Sequence, residues 1–133
     1  TMPKQSEAEA KHARWEIDIK RSKLTKTSLD NITGEFPRFD ERFALQKYSN
    51  GYYAGCIGKH PKGMSLNSII HYDYQKGERK SYTTAEGGAV GEPVFAPKSH
   101  DSKDGEGWLI ATEYNATENR SNLIFLDGSL YIN

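Results

Sequence analysis

The sequence has one cysteine, no excess charge of either sign and no long apolar run, and each absence excludes a class of protein. Cys56 has no second cysteine with which to form a disulfide, which fits a reducing compartment, and it is predicted to be a buried structural thiol. Lysine plus arginine and aspartate plus glutamate are equal at 18 each, whereas nucleic-acid-binding proteins normally carry a basic excess. No stretch approaches the roughly 18 apolar residues of a transmembrane helix. We therefore expect a cytoplasmic protein with no nucleic-acid partner and, at most, peripheral contact with a membrane.

The first 13 residues are polar, and a strand pattern begins immediately after them. Thr1 stands before Met2, so residues 1–13 are interpreted as a polar tail or an expression remnant. Trp15, Ile17 and Ile19 then alternate with charged residues, and this period of two is typical of a half-buried strand. The basic residues that follow have no aromatic residues between them, so they are interpreted as a solvated turn and not as a phosphate or headgroup site: Lys20, Arg21, Lys23 and Lys26.

Short apolar segments separated by polar turns continue through the rest of the chain. The ranges predicted as further strands are 24–29, 66–74, 79–84, 94–97, 108–114 and 122–127. An irregular stretch at 32–41 leads into a tyrosine-rich segment at 47–57, and 85–91 is expected to be a loop. The sequence has no helical period, so we predict an all-β fold of antiparallel hairpins, arranged as a sandwich, a barrel or the blades of a propeller.

Two short motifs place a glutamate directly before a proline-stiffened apolar segment. They read GEFPRFD at 34–40 and GEPVFAP at 91–97. A residue that precedes proline is pushed towards extended conformations, so Phe36 and Glu92 are expected to be extended. A carboxylate held by a stiff segment can orient a partner group, whereas most glutamates are simply solvated. Glu35 and Glu92 are therefore the candidate functional residues.

The order of these and other segments resembles the C-terminal portion of the carotenoid cleavage oxygenases. That family includes carotenoid dioxygenases, lignostilbene dioxygenases and the retinal-pigment-epithelium isomerohydrolase. The resemblance covers about residues 14–128 and rests on segments in the family's order: WEID at 15–18, GEFPRFDERF at 34–43, the aromatic run at 48–53, IHYDYQKG at 70–77, GEPVFAP at 91–97, and DGEGWLI at 104–110 leading to LIFLD at 123–127. It implies that residues 14–133 form about two blades of a seven-bladed β-propeller.

The resemblance also implies roles for individual residues. In that family, four histidines hold one Fe(II), and glutamates at positions matching Glu35 and Glu92 accept hydrogen bonds from the ligand histidines. A carboxylate on the far ring nitrogen fixes the tautomer, aims the ring and raises its basicity. Phe36, Phe39 and Phe95 are candidates to line the path of an apolar polyene, as is Tyr53 more weakly. Ordinary packing in the propeller core is the competing interpretation of these aromatic residues.

The chain departs from the family in lacking the expected iron ligands. Its histidines fall at no ligand position of the family and are interpreted as surface or turn residues: His12, His60, His71 and His100. Two hypotheses remain open. The chain is part of a non-haem Fe(II) dioxygenase that cleaves a C=C bond of a carotenoid, apocarotenoid or stilbene, inactive alone and partnered by the remaining blades or by copies of itself. Alternatively, it is a stand-alone β module that binds a ligand or a partner strand without metal.

Overall fold

The computed structural model describes residues 10–58 and 66–130. In this part of the chain, nine strands form two antiparallel sheets, which confirms the all-β prediction. The first sheet has five strands in chain order: β1 (Lys11–Asp18), β2 (Lys23–Phe39), β3 (Asn50–Cys56), β4 (Ser68–Asp73) and β5 (Glu78–Thr83). The second sheet has four: β6 (Ala89–Val90), β7 (Val94–Pro97), β8 (Gly107–Asn115) and β9 (Arg120–Asp127). A search of these residues for a helix long and apolar enough to cross a membrane finds none.

β8 is the central strand of the second sheet. β9 pairs with it along one edge. β6 and β7 therefore share the other edge, where Val90 lies opposite Glu113 and Val94 lies opposite Ile110. Among the described strands, only β8 pairs with β7. The proline-flanked strand predicted at 94–97 therefore lies at a sheet edge, where proline is best tolerated.

The two sheets pack against each other over a small apolar core. β3 and β4 contribute three of its buried residues and the second sheet contributes the other three: Tyr52, Ala54, Ile69, Val90, Leu109 and Ala111. A backbone hydrogen bond of 2.7 Å from Val90 N to Leu66 O ties β6 to the segment before β4. Cys56, at the end of β3, is only partly buried, contrary to expectation. Even this partial burial raises the pKa of its thiol.

Residues 13–28 form a two-stranded arm that extends beyond the rest of the first sheet. β1 pairs with β2 here, and β2 pairs with β3 only from Thr33 onwards. The prediction of a half-buried strand is wrong for the arm, because Trp15, Ile17 and Leu24 are all more than half exposed. The second sheet packs against β3 and β4, so it leaves the apolar side of the arm uncovered. β1 also begins at Lys11, inside the range interpreted as a tail.

β2 runs on to Phe39, so the expectation of an irregular segment at 32–41 is wrong. A β-bulge interrupts its pairing with β3 between Glu35 and Arg38. Within the bulge, Phe36 has a φ of 57°, which is left-handed and not extended as Pro37 led us to expect. Bulges of this kind need a residue outside the extended region. Holding a residue other than glycine there costs on the order of 1–3 kcal/mol.

Two histidines interpreted as surface residues are enclosed by the fold. His71 in β4 is 5% exposed, and its Nε2 lies 2.8 Å from Asn50 Oδ1. His12 lies in β1 and is half-buried. His100 is almost fully exposed, as expected, and His60 lies outside the described residues. The interpretation therefore fails for His71, which is buried, and His12 is half-buried because its ring packs against tyrosines of the same sheet: Tyr53, Tyr72 and Tyr74.

Candidate functional site

The bulge in β2 places two charged side chains on the face of the first sheet that packs against the second. Glu35 lies opposite Ala54 and Arg38 lies opposite Tyr52, and both partners are core residues. Residues directly opposite each other in an antiparallel pair share a face, so Glu35 and Arg38 point to the same side. In a regular strand, residues three positions apart point to opposite sides. The extra residue at 36–37 therefore brings these two side chains together.

Arg38 forms an ion pair with Glu92, which lies in the connection between β6 and β7. The Nη2 group of Arg38 donates a hydrogen bond to Oε1 of Glu92. The side chains are 42% and 38% exposed, respectively. The ion pair thus links the two glutamate motifs across the junction between the sheets, while the carboxylate of Glu92 stays accessible. Glu35 is exposed as well.

Packing fixes the backbone on both sides of Glu92. Pro93 is fully buried, and Gly91 donates its N–H to the carbonyl of Thr112 at 2.8 Å. A Cβ on Gly91 would lie 2.4 Å from Thr112 Oγ1, so only glycine allows this close approach. The expectation that the motif holds its carboxylate on a stiff segment therefore has a structural basis in the residues flanking Glu92.

An open groove of about 350 Å³ lies between the end of β2 and β7. Its lining combines apolar and charged side chains: Arg38, Phe39, Asp40, Glu41, Arg42, Val94, Phe95 and Pro97. Phe95 also stacks on Tyr52, with ring centroids 5.3 Å apart, and Phe39 stacks on Tyr48 at 4.7 Å. Phe36 is 41% exposed at the bulge but does not line the groove. The structure thus brings two of the three candidate phenylalanines to one groove.

Arg42 is one of the residues that line this groove, and reasoning from the sequence missed it. It forms an ion pair with the buried Asp40, with 2.5 Å between Nη2 and Oδ2. Its Nη1 donates to the carbonyls of Ser99 and His100 at 2.9 and 2.6 Å. The hydrogen bonds to Asp40 raise the pKa of Arg42. Asp40 and Arg42 are close in the sequence, so their pairing has a local signal. The contact of Arg42 with Ser99 has none, because the two residues are separated by 57 positions in the sequence.

A polar and aromatic cluster occupies the opposite face of the first sheet. Asp30 accepts hydrogen bonds from Tyr53 Oη at 2.8 Å and from Arg79 Nη1 at 2.5 Å. The ring of His12 lies 5.0 Å from that of Tyr53, and its Nε2 is 2.9 Å from Tyr74 Oη. Burial lowers the pKa of His12. This cluster places Tyr53 away from Glu35, because neighbouring residues of β3 alternate between faces.

The described part of the chain offers supporting groups for a metal but no ligand set. Within residues 10–58 and 66–130, no three side chains of histidine, cysteine, aspartate or glutamate gather closely enough to hold a metal ion. Glu35 and Glu92 suit a different role, because an exposed carboxylate can accept a hydrogen bond from a histidine supplied by another part of a protein. Of the described residues, Glu35 and Glu92 thus have the chemistry to hold a hydrogen bond to a ligand histidine, and no group of side chains has the arrangement of a direct metal site.

Comparisons with known proteins agree on one family. The family model described as retinal pigment epithelial membrane protein, RPE65, matches residues 1–130. The chain is 32% identical to resveratrol cleavage oxygenase 1 of Botryotinia fuckeliana over 124 residues, which are 86% of this chain and 22% of that enzyme. It superposes on the lignostilbene dioxygenase of Pseudomonas brassicacearum with a TM-score of 0.78 at 25% identity, covering 88% of this chain and 26% of that one. Cobalt-substituted Synechocystis ACO gives the same TM-score of 0.78 at 27% identity, covering 88% and 24%.

The chain spans about a quarter of the length of the curated relatives that it matches. Its two sheets match a partial region of β-propeller oxygenases. The match confirms the resemblance to carotenoid cleavage oxygenases, and it selects blades from the three all-β architectures that the sequence left open. The matched family is one of metal-dependent oxygenases.

Proposed function

The chain belongs to the RPE65 family, retinal pigment epithelial membrane protein, and on that premise we propose that it is the C-terminal part of a non-haem Fe(II) dioxygenase. The complete enzyme cleaves a conjugated C=C bond of a carotenoid, an apocarotenoid or a stilbene. The relative named for resveratrol cleavage supports a stilbene among these substrates. The observation that carries the proposal is the match of the family model to residues 1–130. The ion pair of Arg38 with Glu92 brings the two glutamate motifs together where the sheets meet.

Glu35 and Glu92 supply the polar support for the iron site. Each carboxylate accepts a hydrogen bond from the ring N–H of a histidine ligand that lies outside this chain. Such a bond sets the tautomer and orientation of the ring and makes the metal-binding nitrogen more basic. The packing of Gly91 and Pro93 limits how far the backbone of Glu92 can turn away. When bound, the iron supplies the activation of O2.

The remaining propeller blades are the proposed partners of this chain. Trp15, Ile17 and Leu24 leave an apolar side of the arm exposed, and a surface of this kind normally marks an interaction site. The edge of β7 opposite β8 is also unpaired among the described strands, and open strand edges invite pairing with another chain. Association of identical copies is the alternative way to cover these surfaces. Lacking the histidine ligands, the chain alone is inactive.

Replacing either glutamate tests the supporting role. In the full-length enzyme, Glu35→Gln or Glu92→Gln should weaken iron retention by roughly 10–100-fold, because glutamine keeps the shape but removes the acceptor charge. Iron content after exposure to a chelator and the rate of resveratrol cleavage are the measurements. Glu16→Gln is the matched control, since Glu16 is an exposed glutamate of the arm. Wild-type iron content and turnover in both site variants would end the assignment.

The isolated 133-residue chain tests whether the rest of the enzyme is needed. We expect no bound iron and no cleavage of a stilbene or an apocarotenoid from the purified chain. Its native mass is measured at the same time. Rescue of one iron per complex by co-expression with the other blades would support the proposal. Robust cleavage by the chain alone would overturn the proposal. A folded, iron-free monomer that does not associate with the other blades would favour the stand-alone module.

A further inference from the structure

The ion pair between Arg38 and Glu92 does little for stability, so its role must be sought elsewhere. Both side chains are about 40% exposed: 42% for Arg38 and 38% for Glu92. Half-exposed ion pairs of this kind contribute little to the free energy of folding, because water screens the charges and both side chains lose freedom. The pair joins two segments that the core at Tyr52 and Leu109 already holds together.

A bulge with a strained backbone sets the face of the sheet on which Arg38 lies. Phe36 has a φ of 57°, a conformation that bulky residues rarely adopt. Without the bulge that contains Phe36, Arg38 would lie on the face of the first sheet opposite to Glu35 and could not reach Glu92. Backbone strain of this kind persists where the resulting geometry is useful. The geometry obtained here is the contact with Glu92.

The contact occupies one oxygen of the Glu92 carboxylate. Arg38 donates from Nη2 to Oε1, and a carboxylate has acceptor sites on both oxygens. Oε2 can therefore accept a second hydrogen bond while the first is in place. A planar guanidinium also constrains the direction of its carboxylate partner more than a flexible ammonium group does.

We infer that Arg38 is a positioning residue, which holds the Glu92 carboxylate across the junction of the sheets so that Oε2 faces an incoming histidine N–H. The inference rests on the proposed function of Glu92. Arg38 does not touch iron or substrate in this role, and it acts only through the orientation of Glu92. Losing it should therefore affect metal retention less than losing Glu92 itself.

The rate of iron loss to a chelator from the full-length enzyme tests this inference. Arg38→Gln should release iron about 3- to 10-fold faster than wild type, below the roughly 10–100-fold effect of removing a direct partner. Arg38→Lys should lose iron at a rate between those of wild type and Arg38→Gln, because lysine keeps the charge but not the fixed geometry. In a Glu92→Gln background, Arg38→Gln should add nothing further, since coupled residues are not additive. Arg21→Gln is the control, because Arg21 pairs with Asp18 in the exposed arm.

The outcomes separate this inference from the proposed function. If Arg38→Gln keeps the wild-type rate while Glu92→Gln loses iron faster, the inference falls and the function of Glu92 stands. If Arg38→Gln and Glu92→Gln both keep the wild-type rate, the proposed supporting role of Glu92 falls as well. A melting temperature of Arg38→Gln well below that of Arg21→Gln would assign Arg38 to structure and overturn the positioning role. Equal effects of Arg38→Gln in the wild-type and Glu92→Gln backgrounds would overturn it as well.

Discussion

β3 and β4 belong to the same sheet as the arm at residues 13–28, yet the two regions differ in what covers them. In β4, Ile69 is 0% exposed, and in the arm Ile17 is 75% exposed. Ile17 lies in a strand of alternating apolar and charged residues, and Ile69 lies in a short apolar run. The second sheet covers Ile69, and nothing in the described chain covers Ile17. A strand pattern thus identifies the residues that share a face, while the presence of a covering layer depends on the rest of the protein.

The two isoleucines should differ strongly in what they contribute to the free energy of unfolding. Ile69→Ala should lower the free energy of unfolding of the chain by about 2–5 kcal/mol, because it leaves a cavity in the core. Ile17→Ala should change it by no more than about 0.5 kcal/mol, as for other exposed positions. Urea unfolding of both variants at low protein concentration is the measurement. A comparable loss in Ile17→Ala would mean that the arm is covered in solution, and a dependence on protein concentration would identify self-association as the cause.

A smaller effect distinguishes the two regions by their ion pairs. Asp30 is 5% exposed in its side chain and pairs with Arg79, whereas Asp18 in the arm is 41% exposed and pairs with Arg21. Asp30→Asn should destabilise the chain by about 3 kcal/mol, the lower end for a broken buried pair, because Arg79 retains some contact with water. Asp18→Asn should cost less than about 1 kcal/mol. Thermal melts of the two variants measure this difference, and equal melting temperatures would contradict it.

The sequence predicted the strands that have a clear local pattern, but it missed the second half of β2, expected to be irregular, and the short β6, expected to lie in a loop. The alternation at Trp15 and Ile17 predicted a strand, and that strand is observed as β1. Coverage of the arm was mispredicted, because the same alternation fits any strand with one apolar face. The burial of His71 was also missed, since it depends on packing against residues that lie far along the chain. Local patterns therefore predicted most of the strands, but not which of their residues are buried.

The candidate site divides in the same way between local and long-range information. Glu35 and Glu92 stood out because each precedes a proline-stiffened segment, and the family resemblance gave them a role. Arg38 did not stand out, because the face of the sheet on which its side chain lies depends on a bulge that shifts the register of β2 by one residue. Regular alternation assigns Arg38 to the opposite face from Glu35. Only the pairing with β3 reveals that the two share a face.

Protonation of the buried His71 should have a smaller effect on stability, which depends on pH. Burial lowers the pKa of His71 below its ordinary value of 6.5, Lys80 lowers it further, and Asp73 and Asp104 oppose the shift. The folded chain then binds fewer protons than the unfolded chain, so this contribution to stability is present above pH 6.5 and is lost as the pH falls. Between pH 7.5 and 5, urea unfolding of wild type should show falling stability, and His71→Gln should reduce that fall. His100→Gln should leave the fall unchanged, because His100 is almost fully exposed. An identical pH dependence in wild type and His71→Gln would show that the enclosure of His71 in the folded chain does not resist protonation.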